Sequence, residues 1–361
     1  MTKKQDIAAE KKWVQKPFVT RSLLWLRENL FNGTSNSIIT IILLVALYKI
    51  IPPFIKWAFV DSFWFSTAEA CRTGNGACWS VITHNIRFII FGFYPHELHW
   101  RPLIAMIMLV GLLLYTKNRE HWSKALLYFW IIGLFIMGAL MKGGIFGLKP
   151  VETDKWGGLP LTMMLSFFGM IAAYPLGVLL ALGRRSKMTL IKIFCVLYIE
   201  LIRGVPLISL LFMSSILFPL FLPEGLTINK IIRAQMAIIM FTAAYIAEVV
   251  RGGLQAIPNG QYEAADSLGL NYTQKTRLIV LPQALKIVIP PTVGILISAF
   301  KDTSLVVIIA LYDLLKTTKS TLSNPDWMGF SPEAYLFIAL IYFISCWSMS
   351  NYSRRLEREL H

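Results

Sequence analysis

Charge is what this chain has least of. Asp, Glu, Lys and Arg make up 15% of its 361 residues, against about 25% in soluble globular domains. With 56% hydrophobic residues and a mean hydropathy of +0.59, an ordinary water-soluble globule is excluded. Negative charge is the scarcer sign, with 20 acidic residues against 35 basic ones. A net +15 can point to nucleic acid. In so apolar a chain, basic residues beside hydrophobic runs instead mark cytoplasmic loops and anionic headgroups.

Other absences exclude catalysis. No Gly-rich loop ends in Gly-Lys-Ser/Thr, and Lys142-Gly143-Gly144 is no substitute, so any ATP hydrolysis belongs to another chain. The five histidines are scattered without zinc-site spacing. No buried nucleophile–base pair stands out. The chain is therefore expected to be no enzyme and to hold no cofactor or metal. Cysteine is also sparse, at four residues. Cys195 and Cys346 lie in apolar runs and read as small apolar side chains. Cys71 and Cys78 bound the stretch CRTGNGAC, whose glycines let a short loop close. An exported loop permits a disulfide there, and two free thiols are the alternative. No removable signal segment is expected, because the first apolar run starts late and is too long.

What is present is a succession of apolar runs long enough for spans of about 20 residues each. The fold class expected is an all-α polytopic membrane protein with about eight transmembrane helices. Residues 1–37 form a basic cytoplasmic or interfacial segment, amphipathic near 18–30. Residues 38–156 form an N-terminal extension with three spans, near 38–60, 103–115 and 125–141, and an outer loop at 61–100. Within that loop 81–94 reads as a helix on the outer interface. A five-helix core occupies 157–352, with spans near 159–182, 206–222, 231–250, 285–311 and 334–351, and 353–361 is a tail. Pro290 and Pro291 break the seventh run, and 314–333 reads as an outer loop. Basic clusters at 117–124, at 184–187 and at Arg354, Arg355 and Arg358 put both termini in the cytoplasm.

The same charge bias puts residues 245–282 inside as a polar knob between two apolar runs. Pro258 and Asn259 can open a helix with Glu263, Ala264 and Ala265 in its body. Gly269 allows a chain reversal, Thr273 can cap a second helix, and Pro282 limits or kinks it. A plain helical hairpin fits the same residues.

Several charges fall inside apolar stretches, where each costs roughly 2.5–3.5 kcal/mol at the membrane centre. Glu200 and Arg203 must face the bundle or snorkel as interfacial anchors. Glu248 and Arg251 read equally as an ion pair beside the knob or as ligand contacts. Lys301, Asp302, Thr303 and Ser304 cluster in the seventh run, where a discontinuous helix can line a pathway or lock the core.

The knob resembles the coupling-loop motif of the inner-membrane permease subunits of binding-protein-dependent ABC importers. That motif runs Glu-Ala-Ala, three residues, Gly, nine residues, Ile, one residue, Leu-Pro. Glu263, Ala264, Ala265, Gly269, Ile279, Leu281 and Pro282 occupy every fixed position. ELIRGVPLI at 200–208, AYIAEVVRGG at 244–253, IPNGQYEAA at 257–265, LPQALK at 281–286 and KDTSLV at 301–306 resemble the polar amino acid branch. ACW at 77–79, FGFYP at 91–95 and WRP at 100–102 resemble the longer permease of general L-amino acid transporters.

The resemblance implies a permease subunit in a bacterial inner membrane that forms the pathway for polar or general L-amino acids. It implies a second permease, preferably a related chain in a heterodimer, and a periplasmic amino acid-binding protein. It also implies a cytoplasmic ATPase dimer that carries ATP and Mg. The alternative is a membrane scaffold or receptor-like protein whose knob docks a cytoplasmic partner without transport.

Overall fold

The computed structural model describes residues 18–145 and 147–360. The first part of the basic segment, 1–17, lies outside the described residues. The chain forms two compact units divided between Ser80 and Val81.

The first unit starts with α1, Phe18–Asn29, and α2, Thr34–Ile55, which ends in a π turn at Lys56–Val60. Pro52 and Pro53 lie inside α2. A proline removes a backbone donor and crowds the carbonyl four residues back, here those of Tyr48 and Lys49, and the wider turn follows on the other side of the two prolines. Beyond it the chain folds into a small stapled knob. Cys71, within the short α3 (Ala68–Thr73), is disulfide-bonded to Cys78 with Cα atoms 5.5 Å apart. The Trp79 indole donates to the Ala58 carbonyl at 2.6 Å, and Phe63 N–H to the Ala77 carbonyl at 2.8 Å.

The second unit is helical almost throughout. In order it contains α4 (Ser80–Phe91), α5 (Trp100–Thr116), α6 (Lys124–Lys142), α7 (Gly158–Arg184) and α8 (Thr189–Gly204). A broken helix follows: α9 (Leu207–Phe212), a π turn at Met213–Leu217 and α10 (Phe218–Leu220). Then come α11 (Lys230–Gln255), α12 (Asn259–Ser267), α13 (Tyr272–Lys275), α14 (Leu281–Ile287) and α15 (Ile289–Asp302). The last two are α16 (Leu314–Leu322) and α17 (Ser331–Leu360).

Among the described residues, seven helices are long and apolar enough to cross a membrane, and a bent pair makes up to eight. The bent pair, Thr189–Gly204 and Leu207–Leu220, turns through 103° at Val205–Pro206. Pro206 cannot continue a helix and disfavours helical backbone before it. The expected span at 206–222 is thus the second arm of a broken one. From 207 to 220 it has only 14 residues, about 21 Å at 1.5 Å per residue. The seventh span starts at Ile289, after a break at Val288, so residues 285–287 belong to the preceding helix.

One connection differs from expectation. The 314–333 connection holds a helix, α16, with Leu314, Thr317, Thr318 and Thr321 buried. Helix α4 forms where a helix is expected at 81–94, and one of its faces is packed: Val81, Ile82 and Ile89 are buried, and the Thr317 hydroxyl donates to the Ile89 carbonyl at 2.8 Å. Ahead of α16, Asp313 is fully buried and caps the helix, accepting from Leu315 N–H at 3.2 Å and Lys316 N–H at 3.0 Å.

The core centres on α7 against α11. Gly169, Ala173, Gly177 and Ala181 recur every four residues on α7 and are all buried. Such a stripe of small residues lets helix backbones approach closely where no water drives burial. The seam is tight: a Cβ on Gly177 would sit 2.7 Å from Ile246 Cγ2 and 2.9 Å from the Ala243 carbonyl.

Candidate functional site: a helical knob beneath the core

The knob hangs from the end of α11. Pro258 precedes α12 with φ −59° and no side-chain cap, in keeping with a residue whose ring fixes φ and which has no N–H to donate. Glu263, Ala264 and Ala265 lie in the body of α12. Helix α12 stops in a Schellman turn: Gly269 N–H donates to the Asp266 carbonyl at 2.9 Å and Leu270 N–H to the Ala265 carbonyl at 3.2 Å. Gly269 has φ +72°, the left-handed region that side chains disfavour.

The second helix is capped by Asn271, not by Thr273, which lies inside it. Asn271 and Gln274 form a reciprocal capping box at 2.9 and 3.0 Å. From Tyr272 the helix runs through a π turn at Thr276–Val280 into α14, with Pro282 in the first turn of α14. Pro282 therefore widens this helix without ending it. Gln283 Nε2 donates to Gln261 Oε1 at 2.9 Å, and Lys275 pairs with Asp266, closing the two arms on each other.

The motif residues divide between inside and outside. Ala265 is fully buried, as are Val280 and Ala284, whereas Glu263, Ala264, Gly269 and Pro282 are exposed. Ile279 and Leu281 are half-buried. Beside them Leu268, Tyr272 and Leu278 are 75, 56 and 64% exposed. Large apolar side chains bared on an otherwise polar loop mark a surface for a partner.

Above the knob, charges from three helices converge on Glu248. Its carboxylate lies 3.2 Å from Arg184 of α7 and 3.5 Å from Arg203 of α8, and accepts from Arg251 Nε at 3.0 Å. Arg184 also reaches Glu200 at 2.9 Å. Glu200, Arg203, Glu248 and Arg251 thus form one network centred on Glu248, and its fifth member, Arg184, the sequence offered only as a sign of the cytoplasmic side. The Arg203 guanidinium lies 5.5 Å from the centre of the Tyr245 ring, a cation–π distance.

Tyr245 leads from that network to a cavity of 460 Å³ between α11 and α15, lined by Phe241, Thr242, Pro291, Ser298 and Asp302. Lys301 and Asp302 play separate parts: Asp302 lines this cavity, while Lys301 is exposed, and the two make no ion pair. Adjacent helical residues face about 100° apart, so the pair could not close. Thr303 is buried, with its hydroxyl donating to the Phe300 carbonyl at 2.7 Å, and Ser304 donates to the Lys301 carbonyl at 2.8 Å. These two residues open a 3₁₀ segment, Thr303–Ile309, so the helix does change character at this polar cluster. Among the described residues no group of three His, Cys, Asp or Glu side chains is placed to hold a metal.

Residues 173–361 match the family described as the binding-protein-dependent transport system inner membrane component. The chain belongs to this family. It is a multi-pass inner-membrane permease subunit of the ABC transporter type, a transport component with no catalytic centre of its own. It is 46% identical over 346 residues to the inner membrane amino-acid ABC transporter permease protein YhdY of Escherichia coli (strain K12), covering 95% of this chain and 94% of that one. It is 36% identical to the glutamate/glutamine/aspartate/asparagine transport system permease protein BztC of Rhodobacter capsulatus, covering 94% of each. A crystal structure of an amino acid ABC transporter with histidines aligns with a TM-score of 0.50 at 31% identity, covering 56% of this permease and 92% of that chain. The long relatives thus share the N-terminal extension, and the solved chain matches little more than half of this permease.

Proposed function

We propose that this permease imports L-amino acids, pairing with a second, related permease above a cytoplasmic ATPase dimer and receiving substrate from a periplasmic binding protein. Similarity over nearly the full length of two amino acid permeases supports the substrate class. The observation that carries the coupling role is the knob itself, a two-helix loop with its arms bonded to each other that bares Glu263, Ala264, Leu268 and Tyr272. Glu263 offers charge-assisted bonds to a partner, and Ala264 leaves room for close approach. Ala265, Ile279, Leu281 and Pro282 hold the loop's shape. ATP binding with Mg on the partner closes the ATPase pair, the knob follows that motion, and the cavity at Asp302 switches its access. Residues 38–156 serve as an extension to a core at 157–352, both termini face the cytoplasm, and the Cys71–Cys78 bridge stands on the periplasmic side.

Gly269→Val tests the coupling role. Nothing lies within 4 Å of a Cβ at Gly269, so the effect comes from the backbone and not from a clash. A β-branched residue held at φ +72° loses about 1–2 kcal/mol locally. The ATPase retained on purified permease, or its stimulation by loaded binding protein, should fall at least severalfold. Glu263→Ala should lower the same readings less. Parental retention together with parental stimulation in Gly269→Val would sink the coupling role.

A further inference from the structure

Arg185 stands one residue beyond the end of α7 and reaches two other elements at once. Its Nη1 donates to the Leu254 carbonyl at 2.7 Å and to the Tyr262 hydroxyl at 3.2 Å. The Tyr262 hydroxyl in turn donates to the Leu254 carbonyl at 3.2 Å, which closes a triangle. The guanidinium also lies 5.8 Å from the centre of the Tyr262 ring. Leu254 is in the last turn of α11, whose final carbonyls have no partner within the helix and attract cations. Tyr262 belongs to α12 and precedes Glu263, and its ring packs on the core cluster beneath the seam of α7 and α11. One side chain therefore ties the end of α7, the end of α11 and the helix of the knob.

The chain path alone links the knob to α11 on one side and, through α14, to α15 on the other. It gives α7 no link to the knob. We propose that Arg185 is a positioning residue: through Leu254 and Tyr262 it makes α7 move with the coupling helix, so that a displacement of the knob shifts the α7–α11 pair as one body. The proposal rests on the coupling role of the knob. Geometry asks for arginine at this position. A planar guanidinium can donate to two acceptors while lying along a tyrosine ring, whereas lysine offers one compact, strongly hydrated charge. The fixed seam between α7 and α11, tight at Gly177, supplies the second half of the device. Once α7 is held to the knob, both spans must shift together, and α11 forms a wall of the cavity.

The test uses the whole assembly, permease with its partner chains and ATPase, in lipid vesicles with loaded binding protein. Arg185→Ala should keep the ATPase on the permease and leave its unstimulated hydrolysis at the parental rate. Stimulation by loaded binding protein and amino acid uptake should each fall about fivefold, as expected for losing a charge-assisted bond at a partly exposed site. Arg185→Lys should recover less than half of the loss. Tyr262→Phe keeps the ring on the core and removes only the hydroxyl, and should show a smaller loss of the same kind. A merely structural role would lower unstimulated and stimulated hydrolysis together, along with the thermal midpoint of the complex, and that result overturns the proposal. So does parental stimulation in Arg185→Ala, or full recovery by Arg185→Lys. Gly269→Val run in parallel separates the two readings. If it weakens stimulation while Arg185→Ala does not, only the tie to α7 fails; if neither variant changes stimulation, the coupling role itself fails.

Discussion

Arg184 and Glu248, 64 positions apart in sequence, meet at 3.2 Å between a guanidinium nitrogen and a carboxylate oxygen. Among the described residues Glu248 is the only acid paired with Arg203 and Arg251, so its loss removes the ion pair of both, while Arg184 keeps Glu200. Glu248→Gln should therefore cost about 1–3 kcal/mol, below the 3–5 of a fully buried pair because these side chains are 22–32% exposed. Glu200→Gln should cost much less, since Glu200 is 57% exposed and its one close ion pair among the described residues is with Arg184. Thermal melting of the solubilised complex checks both. Equal midpoints for Glu248→Gln and the parent would remove the network as a source of stability.

Asp313 gives the fold a pH dependence. Burial is the main cause that pushes its carboxyl up to about 6, and the helix-cap bonds from Lys316 and Leu315 oppose it only in part. An acid whose pKa is higher in the folded state than in the unfolded chain stabilises the fold below the unfolded value, near 3.9, and loses that contribution as pH rises through about 6. A shift of this size corresponds to roughly 3 kcal/mol. Asp313→Asn keeps a good helix cap and removes the titration. Parental protein should lose thermal stability between pH 4.5 and 7 more steeply than Asp313→Asn, and parallel profiles would contradict the assignment.

Local signals account for what could be read from sequence. Apolar runs of membrane length mark the helices, and Glu263, Ala264, Ala265 and Gly269 mark the knob, because helix start, reversal and length are written in neighbouring residues. What could not be read depends on distant partners. Arg184 is a plain basic residue until Glu248 arrives beside it. Asp313 follows an apolar run and looks like the start of a loop until Thr317 bonds to Ile89, 228 positions away. Asn271 and Thr273 both fit a helix cap, and only the reciprocal bond from Gln274 decides for Asn271. Lys301 and Asp302 look like a pair because they are adjacent, and helix geometry turns them apart.

Topology is open to chemical labelling. With both termini inside and the bent pair counted as one span, single cysteines at 64–66 and 324–328 should react with an impermeant thiol reagent in intact cells. The native Cys71 and Cys78 remain bridged in these variants. Cysteines at Tyr272 or Leu268, which are 56 and 75% exposed in the knob, should react only after the membrane is opened. Reaction of either knob position in intact cells would reverse the orientation.

Asp302 and Lys301 should separate in transport. Asp302 is half-buried and lines the 460 Å³ cavity, opposite Phe241 and Tyr245 of α11. A carboxylate half-buried within a membrane span is costly unless it meets a cation in some state of the cycle. The cation common to all L-amino acids is the α-ammonium group. Asp302→Asn should thus raise KM for neutral and acidic amino acids alike by about tenfold or more, the loss expected for one charge-assisted hydrogen bond. The amount of assembled complex should not change, because Asp302 makes no ion pair among the described residues. Lys301→Met should leave KM within about twofold, since the exposed Lys301 does not line the cavity. Uptake of radiolabelled glutamine and glutamate into vesicles, measured over a concentration series, distinguishes the two variants. If Asp302→Asn changes the preference between glutamate and glutamine while leaving one KM at the parental value, the carboxylate reads the substrate's side chain and not its α-ammonium group.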